Sequence, residues 1–468
     1  RQELGNCLGP LLGSISVRLS HYIFPVSFFA TTRQALQYNT CACQKKMMLT
    51  RSVVRKVTTT GAARRTLSSA SPWAHFEMAP PDPIIGLNEA YAKDDFPQKV
   101  IIGVGAYRDD MGKPYVLPCV REAERRLTEA NVDHEYSGIA GDPKFVDLAL
   151  KFGYGENSTA LKEGRVQGVQ ALSGTGGLRV MGELLHRHGH RHIYVPNPTW
   201  GNHIPIMANS GLEVRKYRYY DATDSDLDFE GMVQDISDMP EGSAILLHAC
   251  AHNPTGMDPS MEQWKQLSEL CKRKKLLPFF DSAYQGFASG DHDKDAAAVR
   301  MFVDDGHLIG MVQSFSKNFG LYGHRIGALS VVGANPEEAS RVVSQMKMVI
   351  RPMYSNPPRA GARLVSTILS DPKLYKDFDT QCRGMADRIN SMRTELQDKL
   401  QEAGSTHNWD HITKQIGMFA YSGLTKDQVM KMREVHHVYC TADGRISMAG
   451  VTSHNVEYIA NAIHDVSK

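Results

Sequence analysis

Ser173-Gly174-Thr175-Gly176-Gly177 ends a short apolar run and opens a stretch with helical spacing. Exposed N–H groups and the dipole at a helix start favour an anion, and glycine lets the backbone approach it. Alone, the cluster fits a plain glycine-rich turn equally well, and it lacks the G-x-G-x-x-G spacing of a dinucleotide site. Lys317 stands among Ser314, Ser316 and Asn318; a lone lysine is most often a surface cation. Asp281 follows the all-apolar run Leu276–Phe280, and a carboxylate fixed at the edge of a core usually faces a cation. Trp200, beside Gly201, could pack or could offer a flat face to a ring. A phosphate cradle, an amine, a carboxylate and an aromatic plate are together the parts of a pyridoxal 5'-phosphate site. The lysine would form the Schiff base. The carboxylate would keep the pyridine nitrogen protonated, so that the ring can draw electrons from a carbanion.

These residues need elements to hold them. Val166–Leu172 and His192–Val195 read as strands, with helical spacing at Leu178, Met181, Leu184 and Leu185 between them. Ala244–His248 reads as a buried strand. Ser260 and Gln263 form a capping box for a helix to about Lys274. Leu276–Phe280 is the next strand and His307–Gln313 a further one. Alternation of this kind predicts an α/β fold with a mainly parallel sheet covered on both faces. The chemical residues then fall past the carboxyl ends of strands, where open α/β sheets bind ligands. After about Asp371 long polar helices follow, such as Leu374–Leu400, closed by Asn455–Val466.

Longer motifs surround these residues: Asn197-Pro198-Thr199-Trp200-Gly201-Asn202-His203, His252-Asn253-Pro254-Thr255-Gly256, Asp281-Ser282-Ala283-Tyr284-Gln285-Gly286-Phe287, Ser314-Phe315-Ser316-Lys317-Asn318, Arg351-Pro352-Met353-Tyr354-Ser355-Asn356 and Gly444-Arg445-Ile446-Ser447. From about Ser71 to Lys468 the sequence resembles the aspartate aminotransferase family, class I pyridoxal-phosphate enzymes of fold type I, and within it the mitochondrial branch. The resemblance implies that Lys317 carries the cofactor and moves the substrate's proton. Asp281 would face the pyridinium nitrogen with His203 behind it, and Trp200 would stack on the ring. Tyr284 and Asn253 would reach the ring's phenolic oxygen. Ser173, Gly174, Thr175, Ser314 and Arg325 would hold the phosphate, joined by Tyr136 from a partner subunit. Arg445 would take the α-carboxylate, assisted by Asn253 and the Gly105 backbone. Arg351 would cross a homodimer interface to the side-chain carboxylate. Two guanidinium forks at fixed separation select dicarboxylic amino acids and 2-oxo acids. The implied reaction is ping-pong transamination of L-aspartate and 2-oxoglutarate to oxaloacetate and L-glutamate.

The implied organisation is a large domain at 116–384, a small α+β domain at 80–115 and 385–468, and an N-terminal arm at 68–79. Two other readings stay open: a relative preferring aromatic or kynurenine-like amino acids, and a binding protein on this fold without turnover.

The chain has 468 residues and a formal net charge of +2, with 42% hydrophobic and 22% charged residues. That composition excludes wholesale disorder and fibrous classes. No apolar run reaches 18 residues, so no membrane-spanning helix is expected, and the balanced charge gives no reason to expect nucleic acid. The charge is unevenly placed: ten basic residues and one acid precede Glu77, leaving 43 basic and 50 acidic residues for the rest. Residues 48–67 are basic, acid-free and rich in Ser and Thr, the composition of a mitochondrial transit peptide, and they imply import into the matrix. As a helix they would place Leu49, Val53 and Val57 on one face, away from Arg51 and Arg55. Residues 1–47 are read as leader or upstream sequence ahead of a start at Met47 or Met48. The eight cysteines form no C-x-x-C pair; those in the body are expected to be buried thiols, and no metal site is expected.

Overall fold

The computed structural model describes residues 71–80 and 85–468. The expectations for residues 1–47, for the transit peptide at 48–67 and for the start of the arm lie outside the described residues. The described residues up to Glu77 belong to a separate unit, a turn in which the Trp73 and Phe76 rings lie 5.9 Å apart.

In the unit from Met78 to Lys468, seven strands make the main sheet. They are β1 (Val166–Leu172), β2 (His192–Asn197), β3 (Glu213–Arg218), β4 (Ala244–His248), β5 (Leu277–Ser282), β6 (Gly310–Ser314) and β7 (Ile326–Val332). Their order is β1-β7-β6-β5-β4-β2-β3. Only β7 runs against its neighbours β1 and β6; the other pairings are parallel. The predicted α/β class with a mainly parallel sheet is therefore what the chain adopts.

Alternation along the strands explains why this sheet is buried. Ala244 and Leu246 of β4 enter one apolar core with Phe279 and Val312, while Ile245 and Leu247 enter another with Phe280 and Met311. Successive side chains point to opposite faces, so a run with no polar break needs cover on both sides. Helices supply it: α1 (Ser173–Arg187) and α3 (Pro336–Tyr354) on one face, α2 (Met261–Arg273) on the other. The capping box on α2 is present, with Ser260 Oγ accepting from Gln263 N–H and Gln263 Oε1 accepting from Ser260 N–H. The strand expected at His307–Gln313 begins later, at Gly310. Gly306 takes φ +86° and His307 N–H bonds back to Phe302, so these residues close the preceding helix instead.

The long helix α4 (Pro372–Glu402) buries Leu374, Phe378, Cys382, Met385, Ile389, Met392, Leu396 and Leu400, a stripe at three- and four-residue spacing. Against it packs α5 (Val456–Ser467). Three small ladders lie outside the main sheet: Val100–Ile101 with Val438–Tyr439, Phe419–Tyr421 with Arg445–Ser447, and the hairpin Tyr220–Asp221 with Asp226–Leu227. The five cysteines of the body are free and buried, as expected. Among the described residues no cluster of three metal-ligating side chains forms, and no helix is long and apolar enough to cross a membrane.

Candidate active site

The carboxyl ends of β1, β5 and β6 open into one cleft. Gly105, Ser173, Gly174, Thr175, Trp200, Asn253, Asp281, Tyr284, Ser314, Lys317, Arg325 and Arg445 line it. Residues separated by up to 340 positions in the sequence are thus brought together by the sheet.

At one end, α1 starts directly from β1. Ser173 Oγ lies 2.9 Å from Ser314 Oγ and 2.8 Å from Ser316 Oγ. Ser173 and Arg325 both hold left-handed backbone, at φ +58° and +49°, a conformation that non-glycine residues keep only where their surroundings impose it. Two glycines let the elements close up here. A Cβ on Gly177 would fall 2.3 Å from Val312 Cγ2, and one on Gly327 would fall 2.5 Å from the Gln313 carbonyl oxygen. Three hydroxyls, free N–H groups of a fifteen-residue helix and the Arg325 guanidinium converge on this end.

On the cleft floor, Asp281 sits in β5 between His248 of β4 and Val312 of β6. Its Oδ2 accepts from His203 Nε2 at 3.0 Å, and Thr199 Oγ1 lies 2.8 Å from His203 Nδ1 and 3.3 Å from His248 Nε2. The backbone N–H of Asn253 donates to His248 Nδ1 at 3.3 Å. That donor gives the relay one direction: His248 to Thr199, Thr199 to His203, His203 to Asp281. Burial works against the Asp281 charge, but the His203 hydrogen bond, joined by the Lys317 charge, outweighs it and holds the carboxyl below its ordinary value. Burial first, then the His203 field, lowers His248 to about 3.

On the far wall, Arg445 donates through Nη1 to Asn253 Oδ1 and through Nη2 to the Gly103 carbonyl, both at 3.1 Å. Its Cζ lies 4.1 Å from the Phe419 ring centre, and its buried Nε has no partner. The carbonyl it grips belongs to Gly103; Gly105 lines the cleft two residues on. Asn253 Nδ2 reaches Tyr284 Oη at 3.5 Å. Arg351 and Tyr136 do not join the cleft. Arg351 is exposed and donates to Ser355 Oγ, and Tyr136 is 86% exposed in a separate groove.

A family model for aminotransferases of class I and II matches residues 97–463. The chain belongs to this family. The aminotransferase is 53% identical over 397 residues to a mitochondrial aspartate aminotransferase of Dictyostelium discoideum, covering 85% of this chain and 93% of that one. It is 52% identical over 408 residues to the corresponding protein of Gallus gallus, covering 87% and 96%. Its fold matches the aromatic-amino-acid aminotransferase of Burkholderia pseudomallei covalently bound to pyridoxal phosphate, with a TM-score of 0.83 and 40% identity over 85% of this chain and 100% of that one.

The residues of the aminotransferase fit that cofactor. The hydroxyl-lined end suits a phosphate dianion, Asp281 offers an ionised carboxylate across the cleft, and Trp200 supplies a plate beside it. Lys317 follows β6 and projects between the Tyr284 and Tyr322 rings, 6.0 and 5.8 Å from their centres. Burial, then the Arg325 charge, lowers its amine to about 8, with Asp281 opposing. A primary amine that is largely free base at mildly alkaline pH is a nucleophile. In the cofactor-free protein, labelling of Lys317 by acetic anhydride should therefore climb tenfold per pH unit below about 8 and level off above it. Mass spectrometry showing a rate still climbing at pH 10 would make Lys317 an ordinary lysine.

Several members of this site had no role assigned from the sequence. Ser316 completes the hydroxyl trio, and Thr199 and His248 extend the relay behind Asp281. Phe419 underlies Arg445. Asp295 accepts from the N–H groups of Gly286, Ala288 and Ser289, pinning the loop that follows Tyr284. The close pairing of His248 with His252 at the end of a buried strand was the one available signal.

Proposed function

We propose that this aminotransferase catalyses the reversible ping-pong exchange of L-aspartate and 2-oxoglutarate with oxaloacetate and L-glutamate. The observation that carries the proposal is one cleft holding a low-pKa lysine and a buried arginine, on a chain more than half identical to mitochondrial aspartate aminotransferases. Pyridoxal phosphate, when bound, supplies an electron sink for the bond broken at the substrate's α carbon. The chain supplies the rest. Ser173, Gly174, Thr175, Ser314 and Arg325 anchor the phosphate. Asp281, kept ionised by His203, holds a proton on the ring nitrogen. Trp200 fixes the ring plane, and Tyr284 and Asn253 hydrogen-bond its phenolic oxygen. Lys317 Nζ accepts the proton from the α carbon and returns it. Arg445 fixes the α-carboxylate, so that this proton lies over Lys317.

The active form in this reading is a homodimer. Exposure of Arg351 and Tyr136 outside their own cleft supports their entry into the partner's, where Arg351 would take the side-chain carboxylate and Tyr136 the phosphate. The ladders that join Val100–Ile101 to Val438–Tyr439 and Phe419–Tyr421 to Arg445–Ser447 support a division into a large domain at 116–384 and a small domain at 80–115 and 385–468, with 68–79 as an arm. The basic segment 48–67 and the mitochondrial relatives support a mitochondrial location, in the matrix.

The likeness to the aromatic-amino-acid enzyme keeps a second reading in view, with aromatic or kynurenine-like substrates as side activities. Two assays of the holoenzyme test the proposal: a malate-dehydrogenase-coupled assay for oxaloacetate formed from aspartate, and direct detection of phenylpyruvate formed from phenylalanine. kcat/KM for aspartate should exceed that for phenylalanine by about 10²-fold or more, the share of one buried charge pair. A ratio near one would transfer the assignment to the aromatic class.

A further inference from the structure

Arg388 of α4 is a guanidinium that pairs with no carboxylate among the described residues. Its Nε donates to Tyr107 Oη at 2.7 Å, Nη1 to the Val451 carbonyl at 2.9 Å, and Nη2 to the carbonyls of Arg108 at 2.7 Å and Ala449 at 3.1 Å. Its Cζ lies 4.6 Å from the centre of the Tyr107 ring. Every acceptor belongs to one of two segments. The first, Gly103–Arg108, gives Arg445 its carbonyl partner and carries Gly105 into the cleft. The second continues directly from the strand Arg445–Ser447 through Met448–Gly450 to Val451. Arg108 N–H also bonds to Ala449, and Ser447 N–H to Ile102. The first segment is tied to the lysine side of the cleft as well, because Tyr107 N–H donates to Tyr322 Oη at 2.9 Å.

A planar cation with five fixed donors sets distances between its acceptors in a way that a flexible amine cannot. We infer that Arg388 is a positioning residue for the substrate's α-carboxylate: it clamps the Gly105 segment to the Arg445 strand and so fixes their spacing. Arg393, five residues on in α4, braces the opposite side. It donates to the carbonyls of Ile412, Gly417 and Phe419, and the Phe419 ring lies against Arg445. The α-carboxylate site is thus hung on one helix by two arginines, neither of which lines the cleft. The inference rests on the proposed role of Arg445.

The α-carboxylate is common to every amino acid, so loosening its receptor should weaken all substrates by one factor. In the Arg388→Lys holoenzyme, half-saturation concentrations for L-aspartate and L-phenylalanine in single-turnover half-reactions should both rise about tenfold or more. The two factors should agree, any fall in maximal rate should be common to both substrates, and the pyridoxal phosphate content should be unchanged. Unchanged half-saturation values, whatever happens to the melting temperature, or a rise confined to aspartate, would overturn the inference. If Arg388→Lys does not fold, Tyr107→Phe decides: it keeps the ring but removes the phenol that Arg388 grips. A smaller rise, about threefold and common to both substrates, supports the inference, and no rise overturns it. Arg445→Lys separates the two readings. If it leaves both half-saturation values unchanged, the assignment of Arg445 fails and this inference with it. If it raises them while Arg388→Lys does not, only the inference about Arg388 is overturned.

Discussion

Lys317→Ala is expected to lower kcat for transamination by about 10⁴-fold or more while leaving the fold intact. Two functions are lost together: the nucleophile that engages the cofactor and the base that carries the α proton, and the second alone is worth about 10²–10⁴-fold. No other amine lines the cleft, and Arg325 and Arg445 are far too basic to replace it. Stability should be nearly unaffected. Lys317 belongs to the cleft wall, it is not part of an apolar core, and the neighbouring cations Arg325 and Arg445 disfavour its charge. Removing it therefore creates no packing cavity and relieves a cation repulsion. The measurement is the coupled assay on the purified variant, with thermal unfolding alongside. Turnover within tenfold of the parent would mean that another group does this work. Loss of turnover together with a collapsed melting temperature would make the substitution uninformative about chemistry, and Lys317→Arg, which keeps bulk and charge without a free amine, then decides.

The parts of this site that sequence patterning exposed are those whose reasons are local. β4, α2 and β5 could be read because an unbroken apolar run, a capping box and a second apolar run follow one another within forty residues. Asp281 stood out as a charge at the end of such a run. β3 could not be read, because Glu213–Arg218 is a charged edge strand with only Tyr217 buried. β7 is buried throughout, yet its antiparallel direction depends on how the chain turns at Tyr322–Arg325, and no residue pattern within the strand encodes that. The hydrogen-bond relay behind Asp281 joins Thr199 and His203, from the segment after β2, to His248 and Asn253, from the end of β4 and the loop after it; it exists only once β2, β4 and β5 are side by side. The resemblance to a known family supplied the roles of Arg351, Tyr136 and Arg445, which periodicity and composition leave as ordinary charged or aromatic residues.

Arg351→Asp should discriminate between substrates more sharply than any other single change. Arg351 is proposed to meet the side-chain carboxylate of a dicarboxylate bound in the partner's cleft, while Arg445 holds the α-carboxylate common to all amino acids. Reversing the charge removes a bidentate partner and places a carboxylate against a carboxylate. Truncating one member of a buried charge pair costs about 2–5 kcal/mol, and repulsion adds to it. kcat/KM for aspartate and 2-oxoglutarate should then fall by about 10³-fold or more, because each 1.4 kcal/mol is a factor of ten. Phenylalanine, which has no distal charge to lose, should change by less than about tenfold. Arginine and lysine as substrates should gain, since the introduced carboxylate now offers them the partner that aspartate had. The parent fold should survive, because Arg351 is exposed at the end of α3 and its one side-chain bond runs to Ser355, four residues along the same chain. Mixing Arg351→Asp subunits with Lys317→Ala subunits sharpens the test. If Arg351 acts across the interface, the heterodimer contains one cleft damaged in both respects and one intact cleft, so it should recover close to half the parent's aspartate activity. If Arg351 acted within its own subunit, each cleft would carry one lesion and the mixture would stay inactive. Unchanged aspartate kinetics in the single variant would remove Arg351 from the site altogether.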